Sequence, residues 1–365
     1  MKIALTGAGG FLGLHTRAAA LSMGYGLEPI GLGSKLHRQR AMAVVGGSDR
    51  LIHLAGVNRG SDREVHDGNL EFATQLADIL CCVPSPPSHI VYANSVQAGN
   101  SSVYGQSKAE AAVILRAAAE SVGASFTDVL LPNLFGEHGR PFYNSVVATF
   151  CHLLSAEQSA EILDDRDLVL LHAQDAADIL LGIVPMEDMK SFTVSRTVSA
   201  VLAQLQDIAY IYRKGDIPAL ESNFDLGLFN TYRSFRLQQP RKLPFALDRR
   251  TDARGSFFEV CRSQGGEGQT SFSTTVSGFT RGQHFHRRKV ERFVVLSGEA
   301  EIAMRCLFSH SVLRFAVHGS EPVAIDMPTL WTHNIKNTGS TDLSTMFWTN
   351  DLYDPKRPDT FSSFV

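Results

Sequence analysis

Three groups of residues have the types and spacing that chemistry needs. The first is Gly7-x-x-Gly10-x-x-Gly13, which follows the apolar run Ile3-Ala4-Leu5 and opens a helical stretch. Glycines at this spacing permit a tight turn and let backbone N–H groups approach a dinucleotide diphosphate at the positive end of a helix. Gly7, Gly10, Phe11, Leu12 and Gly13 are therefore expected to bind a cofactor, although a Gly-rich turn by itself is an ordinary loop. The second group is Tyr104 and Lys108, four residues apart on one helix face, with Ser95 at the end of an upstream strand. An ammonium beside a phenol is expected to lower its pKa toward working pH. Tyr104 could then protonate a carbonyl oxygen as hydride arrives, while Ser95 polarises that carbonyl and Lys108 also holds a cofactor ribose. Y-x-x-x-K alone is common and structural; the upstream Ser and the Gly motif make it specific. The third group is His284-x-His286-x4-Glu291 with a distant His333. Two or three imidazoles and a carboxylate converging on one point suit zinc, iron, manganese or nickel, whereas any one His reads as satisfied core.

The elements that must position these groups differ between the two halves. From Lys2 to about Ile183, short apolar runs alternate with helical spacing, the pattern of a parallel sheet covered on both faces. Strands are expected at Ile3–Leu5, Leu27–Leu32, Leu51–Leu54, Ile90–Ala93 and Phe126–Leu131, and helices at Leu12–Met23, Asn69–Leu80 and Ser107–Val122. After about Gly255, β-branched and aromatic residues alternate with polar ones, an all-β texture. Alternation places His284 and His286 on one side of a strand, and Lys289, Glu291 and Phe293 on the inward side of the next. The polar stretch Gln238-Gln239-Pro240-Arg241-Lys242, with Pro244, marks the join, so residues 1–244 and 245–365 are expected as the two domains.

Composition narrows the classes of function. With 44% apolar and 19% charged residues and a net charge of -3, the chain is globular and carries no broad basic surface for nucleic acid or anionic membrane. Its 5 scattered cysteines form no C-x-x-C pair, which fits a reducing, cytoplasmic setting. No signal-type or membrane-spanning apolar run is evident. The acidic residue that normally holds the NAD ribose after the second strand is not visible. Ser34, Lys35, Arg38 and Arg40 stand there instead, which favours NADP, with solvation of a helix face as the plainer reading of each cation.

Taken with His53-Leu54-Ala55-Gly56, Leu131-Pro132-Asn133-Leu134-Phe135-Gly136 and Leu171-His172-Ala173-Gln174-Asp175-Ala176, the first half resembles the extended short-chain dehydrogenase/reductase family, a Rossmann-type fold. The resemblance implies that Leu54, Ala55 and Gly56 line the cofactor and that Asn133 meets both nicotinamide and sugar nucleotide. Ser95 precedes Tyr104 by a shorter interval than is usual in that family. Gly278-x5-His284-x-His286-x4-Glu291-x6-Gly298 looks like the first motif of the cupin β-barrel family, which implies that His284, His286, Glu291 and His333 are metal ligands. Pro328-Thr329-Leu330 departs from the second motif, where the third residue is usually Gly.

Along nearly its whole length the chain is similar to the CapF-type enzymes of capsular polysaccharide and O-antigen synthesis. The segments that carry this include His53 to Arg59, Asn94 to Ala98, Arg140 to Cys151 and Asp252 to Glu259. The resemblance implies a homodimer in which a zinc-containing cupin epimerises C3 of UDP-2-acetamido-2,6-dideoxy-β-L-arabino-4-hexulose. The reductase then reduces C4 with NADPH, toward UDP-N-acetyl-L-fucosamine. It also suggests Arg140, Tyr143 and Asn144 as UDP-sugar contacts. A 4-keto group acidifies the C3 proton, and Lys289 is a candidate base, with a rim lysine paired to an acid as the alternative. Two further readings stay open: a reductase whose cupin only binds sugar or holds a dimer, and a non-catalytic NADP sensor.

Overall fold

The computed structural model describes residues 1–239, 244–253 and 255–365, so Pro240, Arg241 and Lys242 of the expected join, and Arg254, lie outside the described residues. The chain divides into two compact units, Met1–Leu134 with Leu168–Ser195, and Phe135–Asp167 with Arg196–Val365.

The first unit runs β1 (Lys2–Thr6), α1 (Phe11–Ser22), β2 (Gly26–Ile30), α2 (Arg38–Gly46), β3 (Arg50–His53), α3 (Asp62–Cys82), β4 (His89–Ser95), α4 (Val103–Ser121) and β5 (Ser125–Leu131). The five strands are parallel in the order β2-β1-β3-β4-β5. Strand side chains alternate between faces. Ile3, Leu5, Ile52, Val91 and Ala93 pack with α1 and the later helix Ala173–Leu180. Ala4, Leu51, Ile90 and Tyr92 pack with α2, α3 and α4. Both faces are thus buried, which is why these strands read as continuous apolar runs. This is the doubly wound Rossmann-type sheet expected from the sequence.

The second unit carries the helices Val146–Ser155, Val198–Arg213 and Asn223–Arg236 together with two antiparallel five-stranded sheets. One sheet contains Glu291–Ser297 between Leu343–Thr349 and Val323–Met327; the other contains Trp331–Asn337 between Glu299–Cys306 and Thr280–Phe285. Their shared core includes Phe293, Val295, Ile302, Met304, Ile325 and Ile335. The all-β region expected after Gly255 is present.

The helices are tied to this β structure by buried polar bonds. Arg292 holds Asp326 with two N–H groups, at 2.6 and 3.0 Å, and the Tyr212 hydroxyl donates to the same carboxylate at 2.6 Å. Burial alone would raise the Asp326 pKa, but the Arg292 guanidinium outweighs it and keeps the carboxyl below its ordinary value. Arg233 donates to the Met327 carbonyl at 2.7 Å, and the Asn230 amide to that of Arg288 at 2.9 Å. Among the described residues, no helix is long and apolar enough to cross a membrane.

Candidate functional site

In the parallel sheet, β1 lies between β2 and β3, so the chain leaves β1 to one side and returns on the other. The crevice at the carboxyl ends of β1 and β3 is the place where such sheets take ligands. The glycine turn sits there. Gly7 has φ of 69°, and a Cβ on it would fall 2.7 Å from the Ala55 nitrogen; one on Gly13 would fall 2.3 Å from the Gly7 oxygen. Only glycine allows the turn, the loop after β3 and the start of α1 to approach this closely. Gly10 is the N-cap of α1 and makes no side-chain cap, so the first-turn N–H groups of Phe11, Leu12 and Gly13 have no side-chain acceptor from it.

The loop carrying Leu54, Ala55 and Gly56 is fixed from both sides. Thr6 Oγ1 accepts from the Leu54 and Ala55 N–H groups at 3.0 and 3.1 Å and pairs with His53 Nδ1 at 2.7 Å. Burial, assisted by the Lys108 charge, drives the His53 pKa down to about 3, so this imidazole is neutral. Asn69 on α3 bonds both backbone groups of Val57, at 2.9 and 2.8 Å, and reaches Ser107 on α4 at 3.0 Å. In the sequence Asn69 reads only as the start of a helix; a buried amide bridging the two expected motifs leaves no local pattern to find.

Ser95 ends β4 and accepts from the Gln97 N–H at 3.2 Å, and its hydroxyl is near enough to the Tyr104 phenol to act on its pKa. Ser102 caps α4 by accepting from Gly105 N–H, which sets Tyr104 and Lys108 on the first turns of that helix. The structure therefore brings Ser95, Tyr104 and Lys108 together, with one correction to their electrostatics. Lys108 was expected to lower the phenol pKa, yet burial raises it and Ser95 only partly opposes that. The reason lies in the ammonium. It is buried, donates to the Ala93 carbonyl at 2.8 Å, sits 4.0 Å from the Tyr92 ring centroid, and has its own pKa pushed down to about 7 by desolvation, against the pull of Asp128.

Lys35 closes a single turn after β2 and is exposed, as are Ser34, Arg38 and Arg40. Arg38 donates to Cys82 Sγ at 3.4 Å. Asn133 is exposed and donates to the Val169 carbonyl at 3.2 Å. In the second unit the Arg140 guanidinium stacks 4.8 Å from the Tyr143 ring, and exposed Asn144 follows, just before the helix that Ser145 caps.

The second unit also gathers the histidine group. One ligand atom from each of His284, His286, Glu291 and His333 lies within 4.8 Å of all the others, and His286, Glu291 and His333 are buried. Three strands supply them. Thr280–Phe285 bears His284, with a register shift beside Gly282 and a left-handed Gln283; His286 follows it; Glu291 opens the next strand; His333 pairs with His284 from Trp331–Asn337. Glu291 Oε2 lies 3.1 Å from both His286 Nε2 and His333 Nε2.

The far nitrogens are held by carbonyls, His286 Nδ1 by Asp359 at 2.6 Å and His333 Nδ1 by Trp331 at 3.2 Å, which leaves each Nε2 for the centre. Burial would raise the Glu291 pKa, but bonds from the two histidines hold it below the carboxylate range. His284 is pushed down to about 4 by burial and its imidazole neighbours. Burial opposes charge on His286, but its bond to Glu291 outweighs this and raises its pKa, so without a metal a proton is shared where the cation would sit. A divalent cation takes the place of such protons on imidazole and carboxylate donors, so the residues fit one.

Leu330, where the family usually has Gly, still adopts φ of 64°, fully buried, with its N–H on the His286 carbonyl at 2.8 Å. A left-handed residue thus precedes Trp331 and His333 although it carries a Leu side chain. Lys289, the candidate base, precedes the strand rather than lying in it, and its ammonium donates to the Pro358 carbonyl at 2.7 Å.

Residues 3–192 match the NAD dependent epimerase/dehydratase family, and residues 250–361 match the polysaccharide biosynthesis C-terminal domain. The chain is 28% identical to the UDP-2-acetamido-2,6-beta-L-arabino-hexul-4-ose reductase of Pseudomonas aeruginosa, covering 100% of this chain and 99% of that one. The crystal structure of the capsular polysaccharide assembling protein CapF from Staphylococcus aureus is 29% identical, with a TM-score of 0.61 and 100% of both chains covered. The UDP-glucose 4-epimerase of Thermotoga maritima, 15% identical at a TM-score of 0.53 over 65% of this chain and 99% of its own, shares the fold. A parallel sheet with a glycine turn at its switch point, Ser95 at the end of β4 with Tyr104 and Lys108 on α4, and a later β region all agree with these matches, and the chain belongs to the NAD dependent epimerase/dehydratase family, in its CapF-like, two-part form.

Proposed function

We propose that the chain is a bifunctional UDP-sugar enzyme. In this reading residues 245–365 epimerise C3 of a UDP-2-acetamido-2,6-dideoxy-4-hexulose, and residues 1–244 reduce its C4 keto group with NADPH, toward UDP-N-acetyl-L-fucosamine. The observation that carries the reading is that one chain holds both Ser95, Tyr104 and Lys108 on a parallel sheet that also bears a glycine turn, and a four-residue donor cage of His284, His286, Glu291 and His333. The full-length likeness to a 4-keto-sugar reductase supports it.

Each residue then has a task. The N–H groups around Gly7, Gly10, Phe11, Leu12 and Gly13 bind the cofactor diphosphate, Lys35 its 2′-phosphate, and Leu54, Ala55 and Gly56 the adenosine side of the crevice. NADPH held there would supply the hydride for C4. Tyr104, kept protonated by burial, gives its proton to O4 while Ser95 holds that oxygen; Lys108 fixes the ribose. Asn133, Arg140, Tyr143 and Asn144 orient the UDP-sugar. At the second site His284, His286, Glu291 and His333 would hold a divalent metal, zinc in this reading, which would supply positive charge to stabilise an oxyanion at O4. Lys289, to act as the base at C3, must first leave the Pro358 carbonyl and give up a proton, since only the neutral amine can accept the one from C3. A cytoplasmic homodimer completes the proposal.

Product analysis with the UDP-4-keto sugar in deuterated water tests both halves. Deuterium at C3 without NADPH, and a reduced epimer with it, are expected. Turnover of NADPH without exchange at C3 would leave only the reductase, and no turnover at all would reduce the chain to a nucleotide-binding sensor.

A further inference from the structure

We infer that Asp359 is a positioning residue for the metal cage, acting as the anchor of a C-terminal strap. Its side chain does not point at the four ligands. Its two carboxylate oxygens instead accept the backbone N–H groups of Arg287 at 3.1 Å, Arg288 at 2.8 Å and Lys289 at 2.7 Å. These three residues form the only covalent path, with Val290, between His286 and Glu291. One carboxylate therefore fixes the turn that sets the spacing of two ligands. The carbonyl of the same residue receives His286 Nδ1–H at 2.6 Å, which chooses the tautomer and the ring orientation. Asp359 has φ of 42°, a backbone state that Asn and Gly tolerate best.

The rest of the strap reaches the other ligands. Phe361–Ser362 adds as an edge strand beside Thr280–Phe285, with Ser362 opposite His284. The Ser363 carbonyl accepts Thr332 Oγ1–H at 2.7 Å, next to His333. Thus one short segment touches the strand or turn that carries every ligand, and Asp359 is where it is bolted down. Charge-assisted bonds to three N–H groups are stronger than neutral ones, and they seat the Asp359 carbonyl on His286 Nδ1, a direct ligand contact of the kind that typically changes metal affinity by about 10- to 100-fold.

The inference rests on the metal reading above, and the test separates the two. Full-length wild type, Asp359→Asn and Asp359→Gly are titrated with Co(II), reading the visible d–d bands and competition with a chromophoric chelator, and their metal-free thermal midpoints are recorded. Both substitutions suit the backbone state; Asp359→Asn removes the charge, and Asp359→Gly removes the whole side chain and adds an unfolded-state entropy cost that the metal-free midpoint reports separately. Expected is a Co(II) affinity weaker by about 10- to 100-fold in Asp359→Gly, and a smaller loss in Asp359→Asn, which keeps one acceptor. A purely structural role would lower the metal-free midpoints and leave affinity and band shape at wild type; that result overturns the inference. Should Asp359→Gly fail to fold, Asp359→Asn with unchanged affinity overturns it equally. If wild type itself takes up no Co(II), it is the metal reading that fails.

Discussion

Replacing Lys108 by Met should stabilise the protein while abolishing reduction. Folding pushes the Lys108 pKa from an ordinary 10.5 to about 7. Between those values the unfolded chain binds the extra proton, so the stability contributed by this group rises with pH across that window and is lowest below about pH 7. At about 1.4 kcal/mol per pKa unit, suppressing the charge costs the wild type roughly 4 kcal/mol at pH 6.5 and roughly 2 kcal/mol at pH 9. Met keeps the apolar stem and has no charge to suppress. Against this, the Ala93 carbonyl loses its donor, at about 1–3 kcal/mol. The net gain should be about 1–3 kcal/mol at pH 6.5 and should shrink by about 2–3 kcal/mol on going to pH 9. Urea denaturation at both pH values measures it. Both tryptophans, Trp331 and Trp348, lie in the second unit, so their fluorescence follows that unit while far-UV circular dichroism also reports the first. A variant no more stable than wild type at pH 6.5, or a difference that does not change with pH, refutes the reasoning.

Tyr104→Phe should lower the reduction rate by about 10²- to 10⁴-fold while leaving deuterium exchange at C3 intact, as read by NADPH consumption and NMR of the sugar. Asp326→Asn strips the buried Arg292 of its counter-charge and should destabilise the second unit by about 3–5 kcal/mol, seen as a lower urea midpoint by tryptophan fluorescence. Leu330→Gly relieves a left-handed Leu but empties a fully buried site; the cavity, at about 2–5 kcal/mol, should outweigh the roughly 1–2 kcal/mol of relief, so its melting temperature should fall.

The parallel sheet was legible because its strands are buried on both faces and end in turns, and all five expected runs coincide with β1–β5 to within a few residues. The donor cage was legible because alternation brings His284 and His286 to one side, and because Glu291 begins the following strand. What escaped were side chains whose partners are far away in sequence. Asn69 meets Ser107, Asp326 meets Arg292 and Tyr212, and Asp359 meets the turn after His286; each is an unremarkable polar residue in its own neighbourhood. The phenol went astray for a different reason. Spacing fixes that Tyr104 and Lys108 share a face, but not that the ammonium turns inward to a strand carbonyl and loses charge there.

The buried bonds from Tyr212, Asn230 and Arg233 to the β structure have a bearing on how such enzymes can be rearranged. A gene fragment starting at residue 245 would leave those three donors behind and open the Arg292–Asp326 pair to solvent on the helix side. Recombination that swaps the β region between relatives should succeed only when the crossover falls upstream of Val198, so that the helical seat travels with the sheets it supports.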